Sequence, residues 1–276
     1  MVKCVDNRPI GIFDSGLGGL TVLKAVNSLL PDESLVYFGD CGRTPYGVKS
    51  KETIVRYTFQ NARFLMSQGI KLLVIACNTS SAYGFELLRQ ELPIPVIEVV
   101  GPGASAAVKS SVARKVGVIG TTATIGSGAY EHAIKAIDPQ MEVYTKACPL
   151  FVPFVEEGRT WWQHEAVKIV AEDYLGEFDG QGIDSLVLGC THYPLLCDVI
   201  REVVGEGIIL INSASEVAVC VKERIETLDI AAQPGNTPKL SFYTSDSVEK
   251  FEPLCSAILE HPISERSVLK IDIERF

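Results

Sequence analysis

Short, unbroken apolar runs alternate with helically spaced stretches almost throughout this chain. RPIGIF leads into GLTVLKAVNSLL, SLVYFG into the segment 50–68, KLLVIA into SAYGFELLRQEL, and PVIEVV into GASAAVKSSV. Further on, KVGVIG leads into ATIGSGAYEHAIKAI, DSLVLG into PLLCDVIREVV, and GIILIN into ASEVAVCVKERIETL. A strand with one wet face alternates apolar and polar residues; these runs do not. Continuous runs predict parallel strands covered by helices on both faces, and the βα order predicts an α/β fold. In such sheets ligands bind beyond the carboxyl ends of the strands. Gly and Pro cluster in VVGPGASA, and a second break falls near LINSASE. The expected division is therefore lobe A at 1–99 plus 213–276 and lobe B at 100–212. The halves echo each other: Asp14 follows GIF as Thr121 follows VIG, 107 residues on, and Cys77 and Cys190 end apolar runs 113 residues apart. Two similar lobes facing each other would account for both offsets.

Composition narrows the class. The chain has 276 residues, 47% of them hydrophobic, enough for a sizeable core and unlike a disordered segment. Thirty-four acidic residues against 25 basic ones give a net charge of −9, and the basic residues are scattered. No nucleic-acid partner is expected. No run is long enough to span a membrane, and the N-terminus enters a strand without a signal-peptide core. No membrane association and a cytoplasmic location are the expectations. Cysteines at 4, 41, 77, 148, 190, 197, 220 and 255 include no CxxC pair, which disfavours zinc-ribbon and thioredoxin-type readings.

The chemistry sits in the loops. Cys77 opens CNTSS at a helix start, where the helix dipole favours a thiolate and Thr79, Ser80 or Ser81 could cap. The alternative is a small buried residue. Cys190 repeats the setting in CTHYP, with Pro194 suited to the first helical turn and His192 able to move a proton or polarise the thiol. Simple backbone capping by His192, or metal ligation with Cys190, are the competing readings; no companion ligands have the expected spacing. In GIFDSGLGGLTVL, Asp14 and Ser15 end a strand, and Gly16, Gly18 and Gly19 permit close backbone approach. No Lys-Ser/Thr follows, so it is not a Walker A loop, and Thr21 stands where GxGxxG needs its third glycine. Such a nest of N–H groups suits a small carboxylate; a tight βα turn capped by Asp14 is the alternative. VVGPGASA matches GxGxxA, but Pro102 and the lack of a ribose-binding acid make it a loop at a helix start. GDCGRTPYG is an irregular loop in which Tyr46 offers backbone donors and a phenol. Thr121, Thr122 and Thr124 lie at another helix start, and Glu156 and Glu157 form an acidic pair near a loop.

Taken in order, FDSGLGGLTVL, YFGD…PYG, VIACNT, GVIGTTATIGSGAY, CPLFVPFVEEG and LGCTHYPLL resemble the glutamate racemases of the aspartate/glutamate racemase superfamily. FYTSDS resembles that family's last strand. The resemblance implies two α/β lobes related by a pseudo-twofold axis, with the active site between them. It implies racemisation of free glutamate without pyridoxal phosphate, metal or nucleotide, and membership of a family that is often dimeric. Carried over by position, Cys77 and Cys190 become the acid/base pair, assisted by Asp14 and His192, with Glu156 as a further helper. Ser15 and the Pro45-Tyr46-Gly47 turn become the pocket for the side-chain carboxylate. Asn78, Thr79, Thr121, Thr124 and Thr191 become contacts to the α-carboxylate and amino group. Two departures stand out. Cys41-Gly42-Arg43-Thr44 replaces the usual Thr-Ala-Arg, and CNTSSA replaces the commoner CNTASA.

Such a reaction needs two bases on opposite faces of one carbon, which duplicated lobes supply. A cysteine thiol has a pKa of about 8.5, so one thiolate must be favoured while its partner stays protonated. Two other functions fit the same residues: isomerisation of another small acid such as aspartate, or binding of a small acid without turnover.

Overall fold

A computed structural model describes residues 5–263 and 267–276; Cys4 lies outside them. The continuous apolar runs form two separate parallel sheets. The first contains β1 (Ile10–Asp14), β2 (Leu35–Gly39), β3 (Leu72–Ile75), β4 (Val96–Glu98), β9 (Leu240–Thr244) and β10 (Val268–Lys270), in the order β10-β9-β2-β1-β3-β4. The second contains β5 (Lys115–Gly120), β6 (Glu142–Ala147), β7 (Ser185–Gly189) and β8 (Ile209–Ile211), in the order β6-β5-β7-β8. The order β2-β1-β3-β4 thus recurs as β6-β5-β7-β8. The repeat suggested by Asp14/Thr121 and Cys77/Cys190 is topological: each pair lies at the carboxyl ends of equivalent strands.

Successive side chains of a strand point to opposite faces, so each sheet buries two sets. Ile10 and Ile12 of β1 pack with α1 (Leu20–Leu29), α10 (Ser213–Thr227) and α11 (Val248–Leu259), while Phe13 faces the cluster of α2 (Lys51–Ser67) and α3 (Asn78–Glu91). The second sheet lies between α4 (Val100–Ser110) with α6 (Ala129–Ile137), and α7 (Phe151–Glu156) with α8 (Glu165–Leu175) and α9 (Cys197–Val204). Each fully buried Leu, Ile or Phe contributes roughly 1.5–3 kcal/mol, which makes these faces the main source of stability.

The elements differ from expectation at five points. VVGPGASA is helical from Val100, because Glu98 accepts from the Val100 and Gly101 N–H groups and Pro102 sits in the first turn, where its missing donor is not needed. ATIGSGAYEHAIKAI is two helices, α5 (Thr122–Gly126) and α6, broken at Gly128 with φ +67. β6 was not anticipated; it is a half-exposed edge strand and has no continuous apolar run. FYTSDS contains β9, but β10 follows it as the last strand. After Cys190 a 3-10 turn, Tyr193–Leu196, carries Pro194 before α9 begins.

Candidate active site

The carboxyl ends of the two sheets meet, and the loops read from the sequence converge there. Cys77 follows β3 and Cys190 follows β7, and both line one cavity with a free volume of about 10 Å³. Ser15, Pro45, Tyr46, Gly47, Asn78 and Thr79 line it from the first sheet; Thr121, Thr191 and His192 line it from the second. Val152 of α7 also lines it, a residue the sequence did not mark because a lone valine on a helix carries no chemical signal.

Cys77 is itself the N-cap of α3: its Sγ accepts from the Ser80 N–H at 3.5 Å and donates to the Ser15 hydroxyl at 3.5 Å. The helix therefore begins before Thr79, Ser80 and Ser81, and none of these caps it. Freed from capping, the Thr79 hydroxyl reaches the opposite lobe. It lies 3.0 Å from the hydroxyls of both Thr121 and Thr124, which are 3.0 Å from each other. Thr121 caps α5, as its position allowed, and Thr124 stands behind the cavity wall. Asn78 Oδ1 accepts from the Tyr130 phenol at 2.6 Å, while its buried Nδ2 has no protein acceptor. A buried donor left unpaired costs about 1–3 kcal/mol, which an entering carboxylate would recover.

Asp14 and Glu156 also stand one layer back. Asp14 is wholly buried; its carboxylate accepts from Gly16 N–H at 3.0 Å and from the Thr191 hydroxyl at 3.2 Å, across the seam. Cys190 Sγ lies 3.7 Å from His192 Nδ1, and His192 Nε2 lies 2.6 Å from Glu156 Oε1. Glu157 is exposed, so it is Glu156 that braces the histidine. The seam is tight enough to require glycine. A Cβ on Gly18 would lie 2.5 Å from Thr191 Oγ1 and 2.8 Å from His192 N, and one on Gly47 would collide with Thr121 Cβ. The Tyr46 phenol donates to Asp40 rather than toward the cavity, so donors offered by the Pro45-Tyr46-Gly47 turn are backbone N–H groups. Among the described residues, no three His, Cys, Asp or Glu side chains are grouped to hold a metal ion.

The family model for Asp/Glu/hydantoin racemases matches residues 17–221. The chain belongs to that family. It is 52% identical over 232 residues to a glutamate racemase of Geobacter metallireducens, covering 83% of this chain and 85% of that one. It is 42% identical over 270 residues to one of Chlorobium phaeobacteroides, covering 98% of each. The crystal structure of glutamate racemase from Francisella tularensis in complex with D-glutamate superposes with a TM-score of 0.90 at 37% identity, covering 98% of this chain and 100% of that one. An aspartate racemase from Picrophilus torridus, at 18% identity and a TM-score of 0.55, covers 79% of this chain and 94% of that one and shares the fold.

In this racemase-family site the two thiols have different surroundings. Burial pushes the Cys77 thiol up to about 11; the charge of Asp14 acts in the same direction, and the hydrogen bonds with Ser15 and Ser80 oppose it. Cys77 is therefore a thiol at neutral pH. Burial also raises the Asp14 carboxyl above its usual range, against the His192 charge and the Gly16 and Gly19 N–H groups. Burial pulls His192 down, but hydrogen bonds to Cys190 and Glu156 prevail and lift it well above the usual imidazole value. Both bonds favour the protonated imidazole beside Cys190.

Proposed function

We propose that this protein interconverts L- and D-glutamate with its own side chains as the only acid/base groups, and so supplies D-glutamate for peptidoglycan synthesis. The observation that carries the reading is that two thiols, at equivalent strand ends of a repeated sheet, line one cavity. One thiolate takes the α-proton: the Cα–H bond breaks, an S–H bond forms, and charge moves into the α-carboxylate. The opposite thiol then breaks its S–H bond and protonates Cα from the other face. Configuration is inverted, and the sulfurs exchange protonation states. Asp14, with its raised proton affinity, serves as acceptor on the Cys77 side; His192, braced by Glu156, serves Cys190.

Asn78 Nδ2 and the hydroxyls of Thr79, Thr121 and Thr191 receive the α-carboxylate, where donors fixed in advance act most strongly. Thr124 holds Thr79 and Thr121 in place. Ser15 and the Pro45-Tyr46-Gly47 turn receive the side-chain carboxylate. A 10 Å³ cavity admits no amino acid, so the lobes, 1–99 with 213–276 and 100–212, move relative to each other as glutamate enters and is shielded from water. The bonds of Thr79 to Thr121 and Thr124, the Tyr83 phenol to Ala123 O (3.0 Å), the Tyr130 phenol to Asn78 and Thr191 to Asp14 cross the seam and are among the contacts such a movement strains. A cytoplasmic homodimer belongs to the same proposal. For the location, the seven described cysteines, all unpaired, are in keeping with a reducing compartment.

The test is solvent deuterium incorporation at Cα of L- and D-glutamate, with aspartate in parallel and no cofactor added. Glutamate is expected to exchange far faster than aspartate, and racemisation is expected to be lost in both Cys77→Ala and Cys190→Ala. Wild-type protein that exchanges no glutamate rejects the function; full racemisation in either single variant rejects the two-thiol roles.

A further inference from the structure

Asp40 is wholly buried and directly follows β2. A buried carboxylate is tolerated only when its oxygens are paired. Here Oδ1 accepts from the Ser245 hydroxyl at 2.7 Å, and Oδ2 accepts from Arg43 Nε at 2.8 Å and from the Tyr46 phenol. The Tyr46 oxygen accepts in turn from Asn61 Nδ2 at 3.0 Å, and Asn61 Oδ1 accepts from Arg43 Nη2 at 3.2 Å. Asp40, Arg43, Asn61 and Tyr46 thereby close a ring. The ring is anchored from outside: the Arg43 guanidinium lies 3.9 Å over the Tyr57 ring and bonds Glu274 Oε1 at 3.0 Å.

Asp40, Arg43 and Asn61 do not line the cavity; Pro45, Tyr46 and Gly47 do. The ring therefore acts on a ligand only through the turn. It grips the chain at Arg43 and at Tyr46, on either side of Pro45, and the next residue, Gly47, abuts Thr121 of the other sheet. Satisfied buried networks of this kind hold one geometry, because every alternative leaves a polar group unpaired.

We propose that Asp40 is a positioning residue: through Arg43, Asn61 and Tyr46 it fixes the 45–47 turn at the distance that fits the side-chain carboxylate of glutamate and not that of a shorter acid. This rests on the glutamate reading above. The test is kcat and KM for D-glutamate, and the glutamate-to-aspartate ratio of kcat/KM, in wild type, Asp40→Asn and Tyr46→Phe. Tyr46→Phe removes one ring member and leaves the Asp40–Arg43 pair intact, so it decides the matter if Asp40→Asn does not fold. A displaced turn weakens a contact present equally in ground and transition states; KM is expected to rise about tenfold in each variant, with kcat within about threefold of wild type. The preference for glutamate is expected to shrink. Unchanged KM in Tyr46→Phe, or a lowered kcat at constant KM, overturns the proposal. A lower thermal midpoint with wild-type KM makes the ring merely structural and overturns it as well. Wild-type turnover of glutamate tests the function itself, so the two failures are separable.

Discussion

Cys77 holds its proton at neutral pH, and the group that most repels its thiolate by charge is Asp14. The sign of a substitution follows. Asp14→Asn removes a negative charge from beside a sulfur that becomes negative on titration, so the Cys77 pKa falls from its value of about 11. The part of the ultraviolet thiolate absorbance that Cys77→Ala abolishes is expected to titrate at lower pH in Asp14→Asn than in wild type. A shift upward contradicts the arrangement, even though proton transfer itself is expected to suffer in the variant. At this scale much of the site was readable. A thiol at a strand end followed by a helix, and the glycine-rich DSG loop, are local patterns. Glu156 gave no such signal, because its partner His192 is 36 residues away and only the fold brings them to 2.6 Å. Asp40 was hidden in a loop of turn formers for the same reason.

Between elements, the site depends on how closely the β1–α1 loop approaches the loop after β7. Gly18 faces the Thr191–His192 peptide, and the atoms that an added Cβ would strike, Thr191 C at 2.7 Å and His192 N at 2.8 Å, belong to backbone that cannot rotate away. Gly18→Ala must therefore push the loops apart while each sheet keeps its packing. A displacement of about 1 Å at a reacting centre costs on the order of a hundredfold in rate, so kcat/KM is expected to fall by that order with an unchanged far-ultraviolet circular dichroism spectrum. Wild-type kinetics in Gly18→Ala would show that the loops are not in register during turnover. Strands were legible where both faces are buried, as in β1, β2, β3 and β7, because burial on both sides demands unbroken apolar sequence. β6 escaped because an edge strand with Glu142 and Lys146 on a half-exposed surface need not be apolar. The N-cap of α3 escaped because sulfur is a weak acceptor and Thr79 and Ser80 were the more familiar candidates.

For the whole molecule, duplication places two thiols around one cavity: the same four-strand order occurs twice, and each copy carries a cysteine beyond its third strand, at the shared seam. That duplication was only faintly visible as the offsets between Asp14 and Thr121 and between Cys77 and Cys190, since apolar strand ends look alike; strand order establishes it. The closed seam also leaves little room for an amino acid, and the function proposed above has the lobes move on loading. The most direct measurement is a pair of crystal structures of this protein, without ligand and with D-glutamate. The account predicts different interlobe angles in the two, and the same angle in both would contradict it. With D-glutamate it predicts that Cα lies between Cys77 Sγ and Cys190 Sγ, one on each face. Both sulfurs on one face of Cα, or glutamate bound away from either of them, would contradict it.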